Sequence, residues 1–176
     1  GVSTTALYYC SLKLAKDEPL SLLRDFFHSF KENFIQGVKL SVILLVSGAA
    51  LGIDAYILSH ISLSKPILVT GIGLLTLFSI CYVIILVYVF ALLSRFDNSI
   101  KNMIFNSLIV GIRFIFCTIL IIAIHISVFF ISFKWFTPLI FLGMGFTSFL
   151  SSHLLKNVLF YIEESQKGRR GSDEFL

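Results

Sequence analysis

With 176 residues, 57% of them apolar and 14% charged, and a mean hydropathy of +0.93, the chain has more apolar surface than a soluble domain of this size can hide. Its net charge of +4 comes from cations scattered near helix ends, which argues against a nucleic-acid groove and fits a membrane surface. Cys10, Cys81 and Cys117 are odd in number, unclustered and set among apolar residues, so neither a disulfide framework nor a metal site is indicated.

The first residues lack an initiator Met and the basic region, apolar core and cleavage site of a signal peptide. Gly1 to Thr5 reads as a turn with a Ser/Thr cap, from which Thr4 or Thr5 opens a short helix through Leu12. About a dozen residues cannot span a bilayer, so the expectation is a fragment whose preceding apolar segment is missing. Past Lys16-Asp17-Glu18-Pro19, the residues Leu22, Leu23, Phe26, Phe27, Phe30 and Phe34 recur at steps of three and four, opposite Arg24, Asp25, Lys31 and Glu32. The spacing predicts an amphipathic helix over 21–33, lying in the membrane interface or serving as a docking ridge centred on Phe26, Phe27 and Phe30.

Four apolar stretches follow, at about 34–58, 67–93, 105–133 and 135–159, each exceeding the roughly 20 residues one crossing needs. Lys13, Lys16, Arg24, Lys31, Lys39, Arg95, Lys101, Arg113, Lys156, Lys167, Arg169 and Arg170 fall on one side of such a bundle, against Lys65 and Lys134 on the other. Positive loops stay inside, so both termini and the loop near Arg95 are expected in the cytoplasm. Tyr56 and Lys134-Trp135-Phe136 suit the outer boundary and Phe160-Tyr161 the inner one. Residues 163–176 read as a flexible cytoplasmic tail. Pro66 and Pro138 each fall near a helix start, where a missing N–H matters little.

Small residues in the first span form a GxxxG element, Gly48 and Gly52, and the fourth carries Gly145, Ser148 and Ser152, both stripes suited to close helix packing. Four polar groups within spans are candidates for function. Asp54 lies near the outer interface, wet or contacting a cation or substrate; Arg113 sits two turns into the third span, wanting a partner such as Asp97 or a polar group on the fourth helix. His125 is the deepest titratable group, a neutral ring bonded to Ser or a carbonyl, or a proton relay; His153 sits beside Ser151 and Ser152. In the loop Arg95 to Asn102, Asp97 or Asn98 can cap the following helix, and Arg95, Asp97 and Asn98 offer a coupling surface for a partner.

The run Gly1-Val2-Ser3-Thr4-Thr5-Ala6-Leu7-Tyr8-Tyr9 with Leu12-Lys13-Leu14, then Arg24-Asp25-Phe26-Phe27 and Phe30-Lys31-Glu32-Asn33-Phe34, and later Leu92-Leu93-Ser94-Arg95-Phe96-Asp97-Asn98-Ser99 with Lys101-Asn102, resembles the YesL-like family of bacterial integral membrane proteins. The resemblance covers nearly the whole chain. It implies an additional hydrophobic helix before Gly1 and an association with carbohydrate uptake and polysaccharide utilisation. It implies no catalytic residue.

HExxH, GxSxG and phosphate-cradling glycine motifs are absent from the sequence, no intramembrane carboxylate pair exists, and the neighbours Glu163 and Glu164 diverge by about 100° on a helix. The expectation is therefore an all-α, polytopic, non-enzymatic protein of the bacterial cytoplasmic membrane without cofactor. The resemblance implies an accessory or transport-related component of carbohydrate uptake, with the bilayer and either sugar-transporter subunits or a second copy as expected partners and no nucleic acid. Two alternatives stay open: a self-contained solute transporter or channel, favoured by discontinuous helices at mid-depth, and a structural protein acting through helix packing.

Overall fold

The computed structural model describes residues 1–61, 64–96, 98–135 and 139–173, with side chains placed for 1–61, 64–96, 98–128, 130 and 145–162. Every regular element among them is a helix, as expected: α1 (Val2–Ala15), α2 (Leu22–Glu32), α3 (Phe34–His60), α4 (Lys65–Leu93), α5 (Ile100–Arg113), α6 (Ile115–Trp135) and α7 (Leu139–Asp173).

Although α1 is too short to cross a bilayer, it lies at the centre of one end of the bundle, packed against α7, α2, α4 and α3. Val2, Thr5, Ala6, Tyr8, Cys10, Leu12 and Ala15 are buried, too many faces for a surface helix. Lys16 closes it, and Asp17 adopts a left-handed φ of 55° that turns the chain before Pro19.

The amphipathic α2 begins after Ser21, where the pattern places it, but its orientation inverts the habit of a soluble helix. Ser29 is 1% exposed and Asp25 half-buried beside α1, whereas Leu22, Leu23 and Phe27 are 64%, 74% and 64% exposed. Phe26 stacks on Phe30 at 6.2 Å and Phe30 meets Phe34 at 5.7 Å. Asn33 ends α2 and begins α3, so this ridge runs directly onto the exposed Phe34, Ile35 and Val38.

With 27 and 29 residues, α3 and α4 are long and apolar enough to cross a membrane, at ~40 Å each against a core of about 30 Å. Their apolar side chains mostly point outward, as a lipid-solvated surface requires. At Gly48 the two helices meet: the Tyr82 hydroxyl donates to the Leu44 carbonyl at 3.1 Å and lies 2.6 Å from where a Cβ on Gly48 would stand. Gly52, its GxxxG partner, has no neighbour within 4 Å. The core gathers around the last part of α4, Ile84 to Leu93, with Tyr8, Leu12, Leu40, Met103, Ile121, Leu155 and Leu159.

The third expected span, 105–133, is not one helix. At Phe114 the backbone leaves helical geometry and α5 and α6 are bent by 101° from each other, so both cannot follow the bilayer normal. The 14 residues of α5 reach ~21 Å, short of a crossing, whereas the 21 of α6 reach ~31 Å. Side-chain hydrogen bonds replace the lost backbone ones: Thr118 Oγ1 lies 2.7 Å from the Gly111 carbonyl and 3.1 Å from that of Phe114. The loop before α5 also corrects an expectation. Ser99, not Asn98, caps α5, accepting from the Asn102 N–H at 3.4 Å, while Asp97 lies outside the described residues. Beyond the apolar stretch ending at 159, α7 continues as helix to Asp173, through residues read from sequence as a tail. Glu163 and Lys167, four apart, have a spacing that supports such an extension. The first half of the fourth expected span, with Pro138, falls largely outside the placed side chains.

Candidate functional site

Ionised groups link several elements at the end of the bundle where α1, the α4–α5 loop and the later part of α7 meet. Lys13 Nζ lies 3.1 Å from Asp25 Oδ2, both side chains under one-fifth exposed, and the Ser21 N–H donates to the same oxygen at 3.0 Å. Asp25 thus reaches back to the start of its own helix, where its charge also complements the dipole. The Lys13 hydrogen bond, then the Ser21 N–H, holds the Asp25 carboxyl below the usual carboxylate range. That same bond raises Lys13. Burial pushes the Tyr8 phenol up to about 12; it approaches Ser151 from α1 without satisfying the Ser151 hydroxyl geometrically.

Across the turn, Arg95 Nη2 lies 3.5 Å from Glu18 Oε1, tying the chain between α1 and α2 to the end of α4. Arg95 is 14% exposed, and its Nε has no hydrogen-bond partner. Lys156 Nζ approaches the Ala15 carbonyl at 3.5 Å, a cation placed against the C-terminal end of α1. Gln36 Nε2 donates to the Asn98 carbonyl at 3.3 Å, so α3 holds the same loop from the other side.

Arg113 closes α5 at the break. Its Nη2 donates to the Tyr161 hydroxyl of α7 at 2.9 Å, and the guanidinium carbon sits 4.9 Å from that ring's centre. Phe114 meets the same ring edge-on at 6.2 Å. Behind them opens a cavity of about 200 Å³, floored by Leu92, Met103 and Val110 and rimmed by Asn98, Asn106 and Arg113. Deeper in the bundle, Tyr88 and Thr118 share a hydrogen bond at 2.9 Å; since Thr118 donates to a carbonyl of the break, Tyr88 supplies the proton between them.

The other residues singled out from sequence are dispersed. Asp54 is exposed on α3, a turn and a half from His60, whose ring lies 4.2 Å from that of Tyr56. His125 Nδ1 lies 2.8 Å from the Ile121 carbonyl. His153 is exposed, its ring 5.8 Å from Phe149. Ser148 and Ser152 are buried on α7, where Ser152 Oγ lacks a partner, whereas a Cβ at Gly145 would meet nothing within 4 Å.

Sequence reading missed Glu18, Tyr88, Thr118, Gly111 and the pairing of Lys13 with Asp25. The signal for α5 existed: Lys101, Asn102, Asn106, Ser107 and Arg113 make its stretch amphipathic, while the run after Phe114 is apolar apart from Thr118 until His125. Tyr161 was visible only as a boundary aromatic.

Residues 1–55 match a family model described as "Protein of unknown function, DUF624". This match spans α1, α2 and most of α3, the segment holding the Lys13–Asp25 pair. No curated protein and no solved structure matches the chain.

Proposed function

We propose that the chain is a YesL-like, non-enzymatic subunit of the bacterial cytoplasmic membrane, multi-pass with a cytoplasmic C-terminus, that assists carbohydrate uptake by engaging transporter subunits at its charged end. One observation carries this reading: Arg95–Glu18 and the Gln36–Asn98 bond hold the α4–α5 loop against the α1–α2 turn and α3, while Lys13–Asp25 fixes α2 on α1. A loop braced from two sides presents the exposed Lys101 and Asn102 at a fixed position, as a docking surface needs. The match over residues 1–55 supports the family, since it falls on much of the segment that carries the resemblance. In this reading α2 rests in the headgroup layer, because its apolar ridge runs without interruption onto the exposed face of α3.

Copurification of the full-length protein from its native bacterium in mild detergent, read by mass spectrometry, tests it. Stoichiometric sugar-transporter subunits, lost on Lys101→Glu, are the expected result. Loss with Leu23→Glu/Phe27→Glu instead would move the contact to α2. Recovery alone or as a homo-oligomer would overturn the accessory role.

A second reading, a self-contained transporter, is favoured by the broken α5–α6 pair, since discontinuous helices line the sites of many transporters. The break lies beside Tyr161, which the sequence assigns to the inner boundary, and on that ground the accessory reading is preferred. Solute flux by the purified protein in vesicles would reverse that preference.

A further inference from the structure

Arg113 emerges from the helix break into apolar surroundings: Ile109, Ile112 and Phe116 are 45%, 59% and 82% exposed. Tyr161 aims the guanidinium through one hydrogen bond and the face of its ring, which occupies Nη2 and leaves the rest of the fork. Among the described residues with placed side chains no carboxylate lies within ion-pair distance of Arg113, and none lines the cavity beside it. Exposed at the break and paired with no placed carboxylate, the guanidinium keeps donors that can serve an anion. The cavity supplies the rest of a site: an apolar floor, and two amide side chains, Asn98 and Asn106, on the rim with Arg113.

We propose that the cavity at the α5–α6 break binds a phosphate group on a short hydroxylated stem, anchored by Arg113 with Asn106 serving the stem hydroxyls. The planar guanidinium matches two phosphate oxygens at once, a geometry an ammonium lacks. Volume limits the ligand: at about 200 Å³ the cavity falls below the ~300–1,000 Å³ of ordinary small-molecule sites, enough for a head group and too little for an oligosaccharide. An anionic phospholipid and a free phosphorylated solute share this chemistry. The exposed Ile112 and Phe116 give acyl chains a surface to lie on, which favours the lipid.

The test uses the full-length protein, delipidated in neutral detergent. Phosphatidylglycerol retention is read by native mass spectrometry, and glycerol 3-phosphate binding by equilibrium dialysis. Wild type should retain phosphatidylglycerol, Arg113→Gln should weaken retention roughly tenfold or more, and Arg113→Lys should fall between. Asn106→Asp places a negative charge against the phosphate without touching the Arg113–Tyr161 pair, so it should also release the lipid, and it decides the matter if Arg113→Gln fails to fold. Retained lipid with no bound glycerol 3-phosphate assigns the site to the bilayer, whereas Arg113-dependent binding of glycerol 3-phosphate assigns it to a solute. Equal binding by wild type and the folded variants, or none by wild type, overturns the proposal.

Discussion

Single hydroxyls and single glycines decide the shape of the α5–α6 region. Thr118 satisfies a carbonyl freed at the break and receives the proton of Tyr88, so Thr118→Val strands buried polar groups on both helices. The expected loss is ~1–3 kcal/mol, seen as a lower melting temperature in detergent, with Thr118→Ser retaining most of the stability. Gly111 acts by absence: a Cβ there would collide with Ile84 and stand 3.3 Å from the Tyr88 ring. No spacing rule exposes such a residue, because the sequence around it, Ile109-Val110-Gly111-Ile112, reads as one apolar run. The neighbour that needs the gap lies more than twenty positions earlier in the chain.

Among the elements, the α1–α2 pair is held by a bond whose strength depends on pH. Asp25 is depressed in the folded protein, so its contribution is present above the ordinary carboxyl value of 3.8 and is lost as pH falls through the folded value. Lys13 is raised, so its contribution is full below 10.5 and disappears as pH rises through its higher folded value. Wild type should therefore melt above Asp25→Asn at pH 7, and the gap should close on acidification below 3.8; a gap unchanged at pH 3 would show that the pair does not hold α1 to α2.

Much of this scale was legible. Ser21 before a three-and-four repeat gave the start of α2, and Pro66 falls in the first turn of α4. The break at Phe114 was not, since no proline marks it and the residues that stabilise it, Tyr88 and Thr118, come from different helices. The site suffered most: Lys13 and Asp25 read separately as ordinary surface charges, and only the packing of α2 across α1 makes them partners.

For the molecule as a whole, the length of α4 predicts that its two ends reach opposite sides of the membrane. In a background with Cys10, Cys81 and Cys117 replaced by Ala, His60→Cys and Asn102→Cys, both at exposed positions, should react with a membrane-impermeant maleimide from opposite faces of oriented vesicles. Labelling of both from one face would remove the crossing. Composition made the apolar helices evident, yet it could not tell which of them share a core, because lipid-facing and core-facing residues are equally apolar here.

The placement of α1 has a consequence for biosynthesis. This helix leaves the ribosome first among those described, yet it finds its largest cover in α7, which leaves last. Through most of translation its Tyr8 and Leu12 must wait without their final neighbours, sheltered by lipid, by α2 alone or by a chaperone. The charged end of the bundle is thus completed late, and a chain released before α7 is made would reach the membrane with its earlier apolar helices formed and α1 without its largest cover.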